Sequence, residues 1–123
     1  MKIFSDETPI YLQIKEEIEE AIIAERIAEG EQIQSIRALS AVYQVNPNTI
    51  SNAYAELEAS NIIFKKRGLG FYVTEGARKI LIKEKRYEFI KKDLITLVEK
   101  AKVVDIDLEM IVAELHKIYE REE

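Results

Sequence analysis

The sequence has no cysteine and no tryptophan, and it holds only two prolines, four glycines and one histidine. Without cysteine there is no disulfide framework and no thiolate metal site. The single histidine, His116, has no second imidazole or thiolate to share an ion, so no metal centre is expected. No apolar run approaches the ~18–20 residues that cross a bilayer, so no membrane partner is expected. The opening residues, Met1-Lys2-Ile3-Phe4-Ser5-Asp6, lack the basic-then-apolar layout of a secretion signal, and a soluble, cytoplasmic chain is the expectation. No nucleophile–base pair or phosphate loop is present, and Gly68-Leu69-Gly70 lacks the later glycine of a dinucleotide fingerprint. Neither an enzyme nor a cofactor is expected.

What is present is a chain of 123 residues, 47% hydrophobic and 33% charged. That suffices for one ordinary domain, or a small domain with an appendage. The net charge of −5 argues at first against a polyanionic partner, but its distribution matters more than its total. Residues 1–33 carry three basic and nine acidic side chains. Residues 34–73 carry Arg37, Lys65, Lys66 and Arg67 against Glu56 and Glu58, a net of +2. Residues 74–123 carry eleven basic and twelve acidic side chains. The middle third is the only positive stretch.

Thr8-Pro9 marks the entry to a first helix, with Pro9 near its first position. Tyr11, Ile14, Ile18, Ala21 and Ile22 recur at helical spacing and define one apolar face. Glu16, Glu17, Glu19 and Glu20 read as a solvated opposite face rather than an acidic recognition site. Gly30 closes the segment. Ser35 caps a second helix, Ile36 to about Tyr43, with Ile36, Leu39 and Val42 inward. Asn46 caps and Pro47 opens a third helix whose Ile50, Ala53, Tyr54 and Leu57 face a core. Two short helices with a three-residue connection fit a helix-turn-helix. Residues 61–66 and 71–74 are β-prone and bracket a glycine-containing tip, which reads as a hairpin, or wing.

The major groove of a duplex admits one α-helix, whose N-terminal residues meet base edges and phosphates. The third helix offers Asn46, Asn48, Thr49, Ser51 and Asn52 there. Asn pairs with adenine in bidentate fashion, and Ser and Thr are versatile. Taken alone, each of these residues reads better as a cap or a solvated surface residue; together they favour binding. Ser35 and Arg37, at the start of the second helix, join the candidate contact set. Lys65, Lys66, Arg67 and Gly68 cluster on the wing, where a bare backbone approaches a phosphate strand closely and arginine suits a narrow minor groove. A hairpin whose lysines only block edge pairing is the structural alternative.

Three ordered motifs carry a resemblance. Residues Gln34-Ser35-Ile36-Arg37-Ala38-Leu39-Ser40, the stretch 45–58 from Val45-Asn46-Pro47-Asn48-Thr49 to Glu58, and Arg67-Gly68-Leu69-Gly70-Phe71-Tyr72-Val73 resemble the GntR family of bacterial transcription regulators. Pro9-Ile10-Tyr11-Leu12-Gln13-Ile14 fits the start of that family's DNA-binding domain. The short tail looks like the YtrA-like subfamily, which adds only two helices for dimerisation. The resemblance implies a sequence-specific regulator of transcription, a repressor, acting on double-stranded operator DNA. It places Arg37, Asn48, Thr49, Ser51 and Gly68 where the family contacts operator. Four positions depart from the pattern: Gln34 for proline, Ala38 for glutamate, Asn61 for glycine and Asn52 for arginine. The second loses the reciprocal capping box after Ser35; the third is tolerated if the backbone is left-handed; the fourth touches the bases read.

The expected fold is mainly α with a small β-hairpin: a winged helix-turn-helix over 1–76 and a two-helix dimerisation tail over 77–123. Ile80, Tyr87, Leu94 and Ala101 repeat every seven residues, with Ile90 and Leu97 between them and Lys83 interrupting the seam. Asp107 caps a last helix carrying Leu108, Ile111, Val112, Leu115, Ile118 and Tyr119 on one face. Leaving both faces in water exposes more apolar surface than a monomer tolerates. A homodimer on a pseudo-palindromic operator solves this; the tail folding back on its own winged domain is the alternative. Two short helices leave little room for an enclosed ligand pocket, and no small-molecule effector has a signature. A winged protein-interaction module that no longer binds DNA remains the competing function.

Overall fold

The computed structural model describes residues 4–121, so the N-terminal reading at residues 1–3 and the last two tail residues lie outside the described residues. The elements run α1 (Ile10–Ile23), α2 (Ile36–Tyr43), α3 (Pro47–Ala59), β1 (Ile63–Lys66), β2 (Gly70–Val73), α4 (Ala77–Glu88), a π-helical stretch (Phe89–Leu94), α5 (Ile95–Val103) and α6 (Leu108–Arg121). They separate into two compact units, residues 1–83 and 84–123.

The first unit is a winged helix-turn-helix. Pro9 stands one position earlier than expected: it precedes the helix, and its carbonyl accepts from Leu12 N (3.1 Å) and Gln13 N (3.3 Å). Helix α1 ends at Ile23, before Gly30, because Glu25 turns left-handed (φ 61°) and Arg26 N returns to Ala21 O at 2.8 Å. Ile14, Ile18 and Ile22 are buried as their spacing predicts. Glu19 is not on a solvated face. It is 3% exposed, flanked along α1 by Ile18 and Ile22, with its carboxylate 3.3 Å from Lys15 Nζ one turn back. Val42, expected inward, is 57% exposed. The short helix α2 turns Ile36, Leu39, Ser40 and Tyr43 toward the core instead, at the 3–1–3 steps of a single helical face.

The core joins α1, α3, the hairpin and the first turns of α4: Ile14, Ile22, Ile50, Tyr54, Leu57, Ile62, Ile63, Val73 and Leu81 are essentially fully buried. Each such side chain contributes about 1.5–3 kcal/mol relative to exposure. Ala77 and Leu81 belong to this core, which is why the compact unit runs past residue 76. Strands β1 and β2 pair antiparallel, Ile63 opposite Val73 and Lys66 opposite Gly70. Asn61, which lies between α3 and β1, is left-handed (φ 63°), the conformation its place in the pattern calls for. A third line of chain was not visible in the sequence. Residues 30–33 run beside β2, with Gly30 N to Val73 O at 2.8 Å, Val73 N to Glu31 O at 2.9 Å and Ile33 N to Phe71 O at 3.0 Å.

The second unit holds the π-helical stretch and two helices. Asp107 Oδ1 accepts from Met110 N (2.9 Å) and caps α6. The heptad seam is interrupted where Phe89–Leu94 is π-helical, since a π turn takes up an extra residue and seven-residue spacing then no longer marks one face. Ala101 is buried, whereas Tyr87, Ile90, Leu94, Leu97, Leu108, Val112 and Leu115 are exposed and Ile111 is half-buried. In the first unit's portion of α4, Ile80 is likewise exposed. Within the second unit, α5 and α6 border an open groove of about 630 Å³ whose walls include Leu97, Ile111, Leu115 and Ile118.

Candidate nucleic-acid interface

The helix-turn-helix is set by local capping. Ser35 Oγ accepts from Ala38 N at 3.1 Å, so the cap of α2 persists without a reciprocal partner. Gln44 closes α2 in a left-handed conformation (φ 57°). Asn46 Oδ1 then accepts from Asn48 N at 2.8 Å and Pro47 opens α3. Asn46, Asn48, Ser51 and Asn52 are exposed and Thr49 is half-buried, while Ile50, Ala53, Tyr54 and Leu57 face inward. The N-terminal half of α3 therefore presents uncharged hydrogen-bonding side chains, its first N–H groups being taken up by Asn46 (Asn48 N by the side chain at 2.8 Å, Thr49 N by the carbonyl at 2.9 Å), and the charges Glu56 and Glu58 stand farther along it. Asn52 lines a shallow depression with Tyr11, Ala55 and Glu56, so it sits on the flank of α3 nearest α1. Arg37, the second residue of α2, is exposed.

The buried face of α3 holds the helix against its surroundings. Tyr54 Oη donates to Gln34 O at 2.7 Å, and its ring meets Phe71 of β2 edge-on at 5.0 Å. Burial, with a smaller contribution from nearby Tyr43, pushes the Tyr54 phenol well above its ordinary value. One side chain thus ties α3 to the chain entering α2 and to the wing.

On the wing, Lys65, Lys66, Arg67 and Gly68 are all exposed, but strand alternation divides the cations. Lys65 pairs with Phe71 across the ladder and lies over its ring (5.8 Å) on the face turned to Tyr54. Lys66 lies on the opposite face, 4.5 Å from the Tyr72 ring, where Phe64 and Tyr72 stack at 5.9 Å. Such cation–π contacts restrict a lysine that is otherwise free to wander. Arg67, Gly68 and Leu69 form the tip, with Leu69 N to Lys66 O at 2.9 Å and Gly68 left-handed (φ 77°). The aromatic pair had a signal in the sequence, because Phe64 and Tyr72 occupy matching alternate positions of the two strands.

Two further contacts had no such signal. Glu29 accepts from Gly76 N (2.8 Å) and Arg78 N (3.1 Å) and so caps α4 from a distant loop. These two N–H bonds, Gly76 first, hold its carboxyl below the usual range despite its exposure. Arg78 Nε in turn donates to Ile23 O at 2.8 Å. Among the described residues no group of three or more His, Asp or Glu is placed to hold a metal ion, and no helix is long and apolar enough to cross a membrane.

A family model, "Bacterial regulatory proteins, gntR family", matches residues 10–73, the span from α1 through β2. The chain belongs to the gntR family. As a gntR-family protein it is a DNA-binding transcription regulator, and the family is not one of enzymes. It is 36% identical over 104 residues to the HTH-type transcriptional repressor YtrA of Bacillus subtilis (strain 168), covering 85% of this chain and 79% of that one. Among solved structures it resembles a GntR family transcriptional regulator from Listeria monocytogenes, with TM-score 0.74, 34% identity, and 93% and 98% of the two chains covered. AraR(DBD) in complex with operator ORX1 matches at TM-score 0.54 and 27% identity, over 60% of this chain and 90% of that one.

Proposed function

We propose that this gntR-family regulator is a homodimeric repressor that reads a pseudo-palindromic operator. Asn46, Asn48, Thr49, Ser51 and Asn52 at the start of α3 form the reading head, with Ser35 and Arg37 beside it on α2. Lys65, Lys66, Arg67 and Gly68 form a wing that grips the neighbouring backbone. Repression is the action named for the YtrA protein it resembles, and operator binding is what the AraR structure contains.

The observation that carries the dimer is the set of unpartnered apolar faces on the π-helical stretch, α5 and α6. Leu94, Leu97, Leu108, Val112 and Leu115 are each more than a third exposed, in a unit of some forty residues. The same surface of a second chain covers them with like chemistry, and two-fold pairing is the commonest closed solution. The groove between α5 and α6 then receives the partner's side chains.

Sedimentation of the full chain, together with selection of bound sequences from a random duplex pool, tests this reading. A dimer and a recovered inverted repeat are expected. A monomer at micromolar concentration, or no binding even at low salt, refutes it, and the second outcome leaves the winged fold as a protein-interaction module. Where binding occurs, its logarithm should fall with log salt by about 0.9 for each phosphate neutralised.

A further inference from the structure

We infer that Gln32 is a positioning residue for the wing, fixing the tip that carries Arg67 and Gly68 without itself touching DNA. The inference rests on the DNA-binding role proposed for the wing and deepens it.

An isolated two-stranded hairpin is marginal in water, and this wing has strands of four residues each. Its root is held by residues 30–33 along β2, where Gln32 forms a bridge with Tyr72. The tip lies beyond that support. There the Gln32 side chain reaches over: Nε2 donates to Leu69 O at 2.6 Å. Leu69 N is already committed to Lys66 O at 2.9 Å, so both backbone polar groups of Leu69 are tied down. Two separate bonds therefore define where the Arg67-Gly68-Leu69 turn stands.

Gly70 makes room for the brace. Its φ of +105° is a conformation L side chains rarely adopt, and a Cβ there would stand 3.0 Å from Gln32 Nε2. The amide occupies the space a side chain at position 70 would take. Gln32 and Gly70 thus form a matched pair from separate parts of the chain.

The other end of the brace is anchored in the helix-turn-helix. Gln32 lies three residues before Ser35, the cap of α2, and between them the Gln34 carbonyl accepts from Tyr54 of α3. The element that holds the wing tip is thereby hydrogen-bonded to the helix that reads the groove. Pre-setting the tip removes ordering cost from the binding step. Gln32 is exposed, so core packing does not account for it.

Gln32→Met keeps the length and shape of the side chain and removes the donor. In the DNA-free protein, the backbone order parameters of Gly68 and Leu69 should fall toward the flexible range, below about 0.6, while those of α3 stay unchanged. Operator affinity should drop about two- to tenfold, as one neutral hydrogen bond would give, and the salt slope should shrink by about one for a lost phosphate contact. In an Arg67→Ala background, Gln32→Met should have no further effect on affinity, a non-additivity that general destabilisation does not produce. Gly70→Ala, which pushes the amide aside, should reproduce the tip disorder. Unchanged tip order, an unchanged salt slope, or losses that simply add to those of Arg67→Ala overturn the inference. Tip order is read without DNA, so a failed brace shows there, whereas failure of the DNA-binding reading shows in the wild-type titration.

Discussion

Replacing Tyr54 by phenylalanine removes one hydroxyl from α3 and leaves the ring in place. No cavity forms, and the edge-on contact with Phe71 survives. What is lost is the 2.7 Å bond to Gln34 O, a partly buried contact whose carbonyl can recruit water once the phenol is gone. The cost at neutral pH should therefore be that of one net hydrogen bond, about 0.5–1.5 kcal/mol. For a winged unit of this size that corresponds to a fall in Tm of roughly 2–12 °C. Urea unfolding followed by near-ultraviolet circular dichroism measures it, with the slope m unchanged.

Alkaline pH supplies the sharper test. Burial raises the Tyr54 phenol above the ordinary value, so the folded state favours the neutral form. A raised folded value gives stability that is complete below the unfolded pKa of about 10 and is lost as pH rises through and beyond it. Over that window the wild type should lose about 1.4 kcal/mol per pH unit relative to Tyr54→Phe. The wild-type advantage should accordingly vanish about one unit above pH 10 and then reverse. The Tyr54 phenol should remain protonated by absorbance until the unit unfolds. A stability difference that is flat from pH 7 to 11 would refute both the bond and the burial that the reasoning relies on.

Three other perturbations address the capping and contact residues. Glu29→Gln removes the carboxylate that holds Gly76 N and Arg78 N; because its folded pKa is lowered, its stabilising effect is present above the ordinary carboxylate range and disappears as pH falls. Acid unfolding of the wild type should thus be steeper than that of Glu29→Gln, and parallel acid limbs would contradict the latch. Asn46→Ala deletes the cap on α3 and should cost about 1 kcal/mol, with Asn46→Asp or Asn46→Ser restoring most of it in thermal melts. Arg37→Ala and Thr49→Ala should each reduce operator affinity about tenfold or more, the loss of one charge-assisted or base-edge contact, with melting temperatures unchanged; wild-type affinity by fluorescence anisotropy in both would remove these residues from the interface.

Much of this molecule is written locally. Ser35 before Ile36 and Asn46-Pro47 before Asn48 are start signals whose hydrogen bonds close within three residues, so they can be read without knowing the fold. The 3–4–3 spacing of Ile50, Ala53, Tyr54 and Leu57 marks the inward face of α3, and by subtraction the outward residues that make the candidate reading head. The left-handed Asn61 fits a place that the family resemblance marks with glycine, and the glycine at the wing tip suits its left-handed turn.

Other features depend on partners far away in the chain. Glu29 caps a helix that begins 48 residues later, and Gln32 braces a carbonyl 37 residues away; exposed side chains making one or two long-range bonds leave no periodic trace. Lys65 and Lys66 are neighbours in sequence, but the strand pleat sends them to opposite faces and different rings. Val42 and Glu19 exchange their expected places because helix packing, not hydrophobicity alone, decides which side of a short helix is covered. The tail's seven-residue repeat could not reveal the π turn at Phe89–Leu94, since spacing records side-chain character and not hydrogen-bond register. The sequence by itself determined where most of the helices start, the caps Ser35, Asn46 and Asp107, and the candidate residues for DNA contact. Only the tertiary structure decided how those residues are held, because the groups that hold them meet through folding and not through proximity along the chain.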